Sequence, residues 1–195
     1  PVSQAPLQPQ EILDLEAWAK NCSPEGDETE INVEEPTEIQ VPPPPTDTQV
    51  ISIAATDYKV PLQDDKYMCF PAVLQFEGDK QIVRFDFELD ETQVIHHLVL
   101  YADPDKEAGT EAFECGGVAL DHSLFMYAWA PGATPLQFPE GMGFPVKDGD
   151  SVLLQIHYNN SQKLENLVDS SNIQIHLADS QPQEVGMFAP GPLSF

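Results

Sequence analysis

Five histidines, at positions 96, 97, 122, 157 and 176, are the side chains of this 195-residue sequence best suited to chemistry. Two are consecutive, in Val94-Ile-His-His-Leu-Val-Leu-Tyr101, and a third lies near the end of Val152-Leu-Leu-Gln-Ile-His-Tyr158. Both segments are otherwise apolar enough to be strands. Neighbouring strand residues point to opposite faces, so His96 and His97 can share a metal only where a bulge or a strand end turns one of them round. Taken alone, the pair is open between a metal site and one buried, hydrogen-bonded imidazole beside an exposed one. His157 adds to the metal reading. Along its segment Val152, Leu154, Ile156 and Tyr158 share one face, which leaves Gln155 and His157 together on the other. A histidine with an amide two residues away makes a ligand and a supporting side chain. Imidazoles without thiolate or carboxylate suit copper or zinc, and three with open positions suit a redox-active or catalytic ion better than a closed structural one. His122, in a loop, and His176, on the polar face of a strand, read as solvated.

These side chains must be held by short strands. Val83, Phe85, Phe87 and Leu89 alternate with Arg84, Asp86 and Glu88, and Ile173, Ile175 and Leu177 alternate with Gln174 and His176. Residues 94–101 and 152–158 add two apolar runs. Turn signals such as Pro131-Gly132, Asp148-Gly-Asp150 and Asn159-Asn160 separate the segments, and no helical pattern follows residue 50. The expectation is an all-β fold, an antiparallel jelly-roll-like β-sandwich over residues 51–195. Before it, residues 9–20 place Ile12, Leu15 and Ala19 at helical spacing, which predicts a short helix within residues 1–27. A lone helix of about twelve residues is marginal in water, so it must pack on something else or belong to a domain upstream. Residues 28–50 read as an acidic, Pro-rich linker.

Charge narrows the partners. The first fifty residues hold nine of the 19 prolines and eleven acids against one base, Lys20, and the whole chain has 33 acids against eight bases. Nucleic acid and anionic membrane surfaces are excluded as partners, because a polyphosphate needs a basic face. No signal peptide and no run of about 18 apolar residues appears, so no membrane insertion is expected, and an opening Pro-Val-Ser without Met reads as processed or trimmed. Cys22, Cys69 and Cys115 form no CxxC pair, which argues against a zinc knuckle or a thioredoxin-type site. A disulfide is the better reading, with the role of Cys22 open.

Six blocks carry a more specific signal: Tyr67-Met-Cys-Phe70, Ile95-His-His-Leu-Val-Leu-Tyr101, Phe113-Glu-Cys-Gly-Gly117, Tyr127-Ala-Trp-Ala-Pro-Gly-Ala133, Phe138-Pro-Glu-Gly-Met-Gly-Phe144 and Leu153-Leu-Gln-Ile-His-Tyr-Asn159. In this order they resemble the N-terminal copper domain of the copper type II, ascorbate-dependent monooxygenases, the peptidylglycine α-hydroxylating and dopamine β-monooxygenase family. Bacterial members look closer still. The resemblance runs from about Asp57 to Pro192. It implies one copper per chain on His96, His97 and His157, with Tyr67 and Gln155 close behind the ligands. It also implies a Cys69–Cys115 disulfide, hence an oxidising compartment and a secreted, periplasmic or extracellular protein. Ascorbate or a redox protein is the implied electron donor.

The same resemblance implies a division of labour. Family enzymes use two coppers in two domains: the first supplies an electron, and the second, on an HxH-type motif and a methionine, works beside the substrate. This sequence contains no HxH, and Met68, Met126, Met142 and Met187 read as core or loop residues, so no catalytic residue is assigned. Three readings follow. The chain is the electron-supplying copper domain of a monooxygenase, working with a second copper domain and not competent alone; or a free-standing copper electron-transfer or copper-binding protein; or a non-catalytic interaction module. Residues 11–27 also resemble the last helix of a small c-type cytochrome, which makes an upstream cytochrome a candidate partner, although no CxxCH is present.

Overall fold

Pro9 opens a helix because its missing N–H costs nothing at that position, and the Gln8 backbone N–H donates to Glu11 Oε2 at 2.6 Å to close a capping box. The helix α1 is Pro9–Lys20. Its Ile12, Leu13, Leu15 and Trp18 are exposed, and the free Cys22 just beyond it is exposed too. The computed structural model describes residues 8–22 and 41–186, which fall into two separate units divided at residue 40. Most of the predicted linker, residues 28–40, and Met187 lie outside the described residues.

The second unit is all β. Its strands are β1 (Gln49–Ala54), β2 (Tyr58–Lys59), β3 (Asp65–Val73), β4 (Lys80–Glu88), β5 (Ile95–Ala102), β6 (Phe113–Glu114) and β7 (Leu124–Trp129). They continue as β8 (Leu136–Gln137), β9 (Met142–Pro145), β10 (Ser151–Asn159), β11 (Val168–Asp169), β12 (Asn172–Asp179) and β13 (Gln183–Glu184). One sheet runs β1-β12-β4-β9-β13 with β8 also on β4, a second runs β6-β3-β10-β5-β7, and β11 pairs with β2. Every pairing is antiparallel except β13 with β9.

Alternation explains how the two large sheets meet. Ile53, Ile82, Phe85, Ile173, Ile175 and Leu177 from the first pack with Met68, Phe70, Leu98, Leu100, Leu154, Ile156 and Tyr158 from the second in one buried cluster. Each such side chain contributes about 1.5–3 kcal/mol when fully buried. Among the methionines, Met68 and Met126 are in this core and Met142 is half-buried. A smaller apolar cluster lies on the outer face of the second sheet, where Cys69 and Leu153 meet Ala119, with Tyr101, Phe113 and Leu120 at its margin. The Cys69–Cys115 disulfide, with Cα atoms 5.9 Å apart, ties the segment from Asp103 to Ser123 onto that face. Strand β10 is therefore covered on both sides, and its residues from Ser151 to Tyr158 are buried.

The outer face of the first sheet is covered differently. Arg84 is only 2% exposed. Its guanidinium donates to Pro42 O at 2.9 Å, Gln137 Oε1 at 3.0 Å and Asp86 Oδ2 at 2.9 Å. Residues 42–48 thus run along the sandwich up to β1. This corrects the solvated reading of His176, which is 4% exposed: it pairs with Arg84 and Val50 on the flanking strands, and Thr48 Oγ1 lies 3.4 Å from its Nδ1. His122 is exposed.

Candidate metal centre

The outward positions of β3 and β10 form successive rungs: Cys69 opposite Gln155, Tyr67 opposite His157, and Asp65 opposite Asn159. On the other side of β10, His157 pairs with His97, but the next rung joins Tyr158 to Ile95. His96 is the residue left over. A bulge of this kind adds one residue to one strand and breaks strict alternation, so consecutive histidines no longer have to face opposite ways.

The result is convergence. The ring centroids of His96, His97 and His157 are 4.8–5.3 Å apart. His96 Nδ1 stands 3.1 Å from His97 Nδ1 and 3.2 Å from His157 Nδ1. Two nitrogens each bound about 2.0–2.1 Å from one ion at a tetrahedral angle are separated by about 3.3 Å, so these spacings fit a shared metal. Among the described residues these three histidines form a group that could hold an ion, with one ring nitrogen of each within 4.8 Å of the others. Burial grades across it: His157 is buried, His97 half-buried and His96 exposed. Burial pushes the His97 pKa below the ordinary histidine value, and His157 and His96 push it the same way. A neutral imidazole is the form that binds a metal.

The surroundings hold the buried histidine. Tyr67 stacks on His157 with centroids 4.0 Å apart and planes 7° from parallel. His157 Nε2 lies 2.9 Å from Asp65 Oδ1, which also accepts from Asn159 Nδ2 at 3.2 Å. Gln155, on the same face two residues from His157, is fully buried and donates through Nε2 to Gly116 O at 2.7 Å, while its Oε1 has no hydrogen-bond partner. The structure thus brings Tyr67 onto an imidazole and turns the Gln155 amide toward the disulfide loop. Asp65 and Asn159 were not singled out from the sequence. The signal was their period of two, Asp65 with Tyr67 and Asn159 with His157, readable only once β3 and β10 are known to pair.

A partly enclosed cavity lies elsewhere. It has a volume of about 190 Å³ and is lined by Leu74, Asp103, Met126, Phe144 and Val152 among others. The rung Val152–Ala102 is five residues along the ladder from His157–His97, about 16 Å at strand rise.

Comparison with known proteins bears on the same region. The family model described as copper type II ascorbate-dependent monooxygenase, N-terminal domain, matches residues 51–165. The chain is 28% identical over 157 residues to peptidyl-glycine alpha-amidating monooxygenase A of Xenopus laevis, covering 73% of this chain and 17% of that protein. It is 26% identical over 171 residues to dopamine beta-hydroxylase of Rattus norvegicus, covering 79% and 27%. With the putative DBH-like monooxygenase protein 2 of Homo sapiens it shares 28% over 188 residues, covering 85% and 37%. The chain therefore spans well under half the length of these relatives.

Proposed function

The chain belongs to the copper type II ascorbate-dependent monooxygenase family, and from that premise we propose that His96, His97 and His157 hold a single copper ion that supplies electrons to a monooxygenase reaction. The observation that carries the reading is the convergence of three Nδ1 atoms at the β5 bulge, with spacings of 3.1 and 3.2 Å, inside the matched segment. Copper bound there supplies one-electron redox chemistry.

The protein's part is to bind, orient and expose. Three imidazoles without a thiolate or carboxylate among the ligands leave coordination positions open and accommodate both oxidation states. Tyr67 and the β3–β10 ladder fix the His157 ring, whereas the exposed edge at His96 lets a small reductant approach. Ascorbate fits that role, as does a redox protein. In this reading the chain is one copper domain of a larger monooxygenase, and hydroxylation needs a second copper domain. A disulfide-stapled sandwich suits an oxidising compartment, so the protein works outside the cytoplasm, in the periplasm or the extracellular space. Among the described residues no helix is long and apolar enough to cross a membrane.

The test is metal content. The purified chain, loaded with cupric ion and desalted, should retain one copper per molecule, and ascorbate should bleach its cupric EPR signal. Two coppers per chain, or full retention by His157→Ala, overturns the reading.

A further inference from the structure

We propose that Asp65 is a positioning residue for His157, holding the proton on Nε2 so that Nδ1 is presented, unprotonated, to the point where the three imidazoles meet. The inference rests on the copper reading for its purpose but not for its geometry.

A neutral imidazole carries one proton, and the nitrogen that lacks it is the acceptor and metal ligand. A carboxylate can only accept. With Asp65 Oδ1 at 2.9 Å from His157 Nε2, that nitrogen is the donor, and the lone pair is left on Nδ1, 3.2 Å from His96 Nδ1. Without the carboxylate a competing arrangement opens: His157 Nδ1–H can donate across to His96 Nδ1, which would occupy the ligand atom with a proton. Asp65 removes that alternative. It is itself held, since Asn159 Nδ2 donates to the same oxygen at 3.2 Å.

The placement follows from the ladder. Asp65 sits opposite Asn159 and is the diagonal neighbour of His157, a distance that a carboxylate spans on one face of an antiparallel pair. Tyr67 covers the ring face while Asp65 fixes its edge, so the plane and the rotation of the ring are both set before any metal arrives. A stabilising role for the pair is the weaker account. The Asp65 side chain is 60% exposed, and a polar contact to so exposed a carboxylate contributes little to folding.

The experiment uses the whole chain, metal-free and copper-loaded. Long-range 15N–1H correlation spectra of the metal-free protein at about pH 7.5, above the ordinary imidazole value, report the His157 tautomer directly. Wild type should show the Nε2–H form alone, and Asp65→Ala should add the Nδ1–H form. Competition titration against a chromophoric copper chelator should show Asp65→Ala binding copper roughly 10–100-fold more weakly, the usual range for losing a partner behind a histidine ligand. Asp65→Asn keeps an acceptor and drops the charge, so it should fall between, with urea midpoints of both variants near wild type. A His157 tautomer indifferent to Asp65→Ala overturns the proposal whatever copper does. If the tautomer responds but wild type takes up no copper, the positioning role stands and the copper reading falls.

Discussion

His97 lies directly opposite His157 across the β5–β10 ladder, while the following rung joins Tyr158 to Ile95 and steps over His96. The histidine cluster is thus made by a ladder irregularity as much as by the residue types. Each of the three histidines should count. His96→Ala, His97→Ala and His157→Ala should each lose more copper affinity than the roughly 10–100-fold typical of a residue behind the ligands, whereas the exposed His122→Ala should leave it unchanged. Isothermal titration with a competing chelator separates the four. A His96→Ala variant that binds as wild type would reduce the centre to a two-histidine site.

The disulfide should behave as a structural staple. Cys69 and Cys115 are 46 residues apart, and chain-entropy reasoning assigns roughly 4 kcal/mol to closing a loop of that length. Thiol titration of denatured, unreduced protein should find only Cys22. The Cys69→Ala/Cys115→Ala double variant should unfold at markedly lower urea. Unchanged stability, or three reactive thiols, would contradict the staple.

What the sequence made legible follows from periodicity. Strands β4, β5, β10 and β12 stand out because they are half-buried or run through the core, and alternation in β10 alone places Gln155 and His157 on one face. The bulge is not local information. It appears only when Tyr158 is matched with Ile95, a relation between strands more than sixty residues apart. Asp65 was hidden for a related reason: β3 is a largely apolar run interrupted by Pro71, and it stands out as a strand only beside β10. His176 shows the opposite failure. Its alternation correctly puts it away from the core, but the segment from Pro42 to Thr48 crosses that outer face, and periodicity carries no record of what lies on top.

That covering segment should carry measurable stability. Arg84 is buried and takes Pro42 O as one of its acceptors. A chain beginning at Val41 should therefore be more stable than one beginning at Gln49 by about 1.5–3 kcal/mol, the usual net worth of a hydrogen bond to a charged group. Equilibrium urea unfolding of the two would decide it, and equal midpoints would show that residues 41–48 contribute nothing.

His176 should make stability depend on pH in a window that carboxylates do not share. Burial depresses its pKa below the ordinary value; Asp86, with Oδ2 3.9 Å from Nε2, pulls the other way, and Arg84 pushes it lower again. The one countervailing contact, with Asp86, is a poor one, since 3.9 Å is too long for a hydrogen bond and the buried Nε2 has no hydrogen-bond partner. The groups facing the ring are Thr48 from the covering segment, Arg84 and Asp86 from β4, and Val50 from β1. In the unfolded chain the imidazole takes up a proton near pH 6.5, whereas in the folded chain it does so only at a lower pH. Between those two values the unfolded state binds more protons, so stability present at neutral pH is lost progressively as the pH falls through about 6.5 and stops falling below the folded value. His97 is shifted in the same direction, so wild type alone cannot isolate the effect. The comparison that does is metal-free wild type against His176→Gln, whose side chain cannot charge: the melting temperature of the variant should decline less between about pH 7 and pH 5 than that of wild type, while both decline together at lower pH as carboxylates protonate. Parallel curves through the upper window would show that His176 is solvated after all.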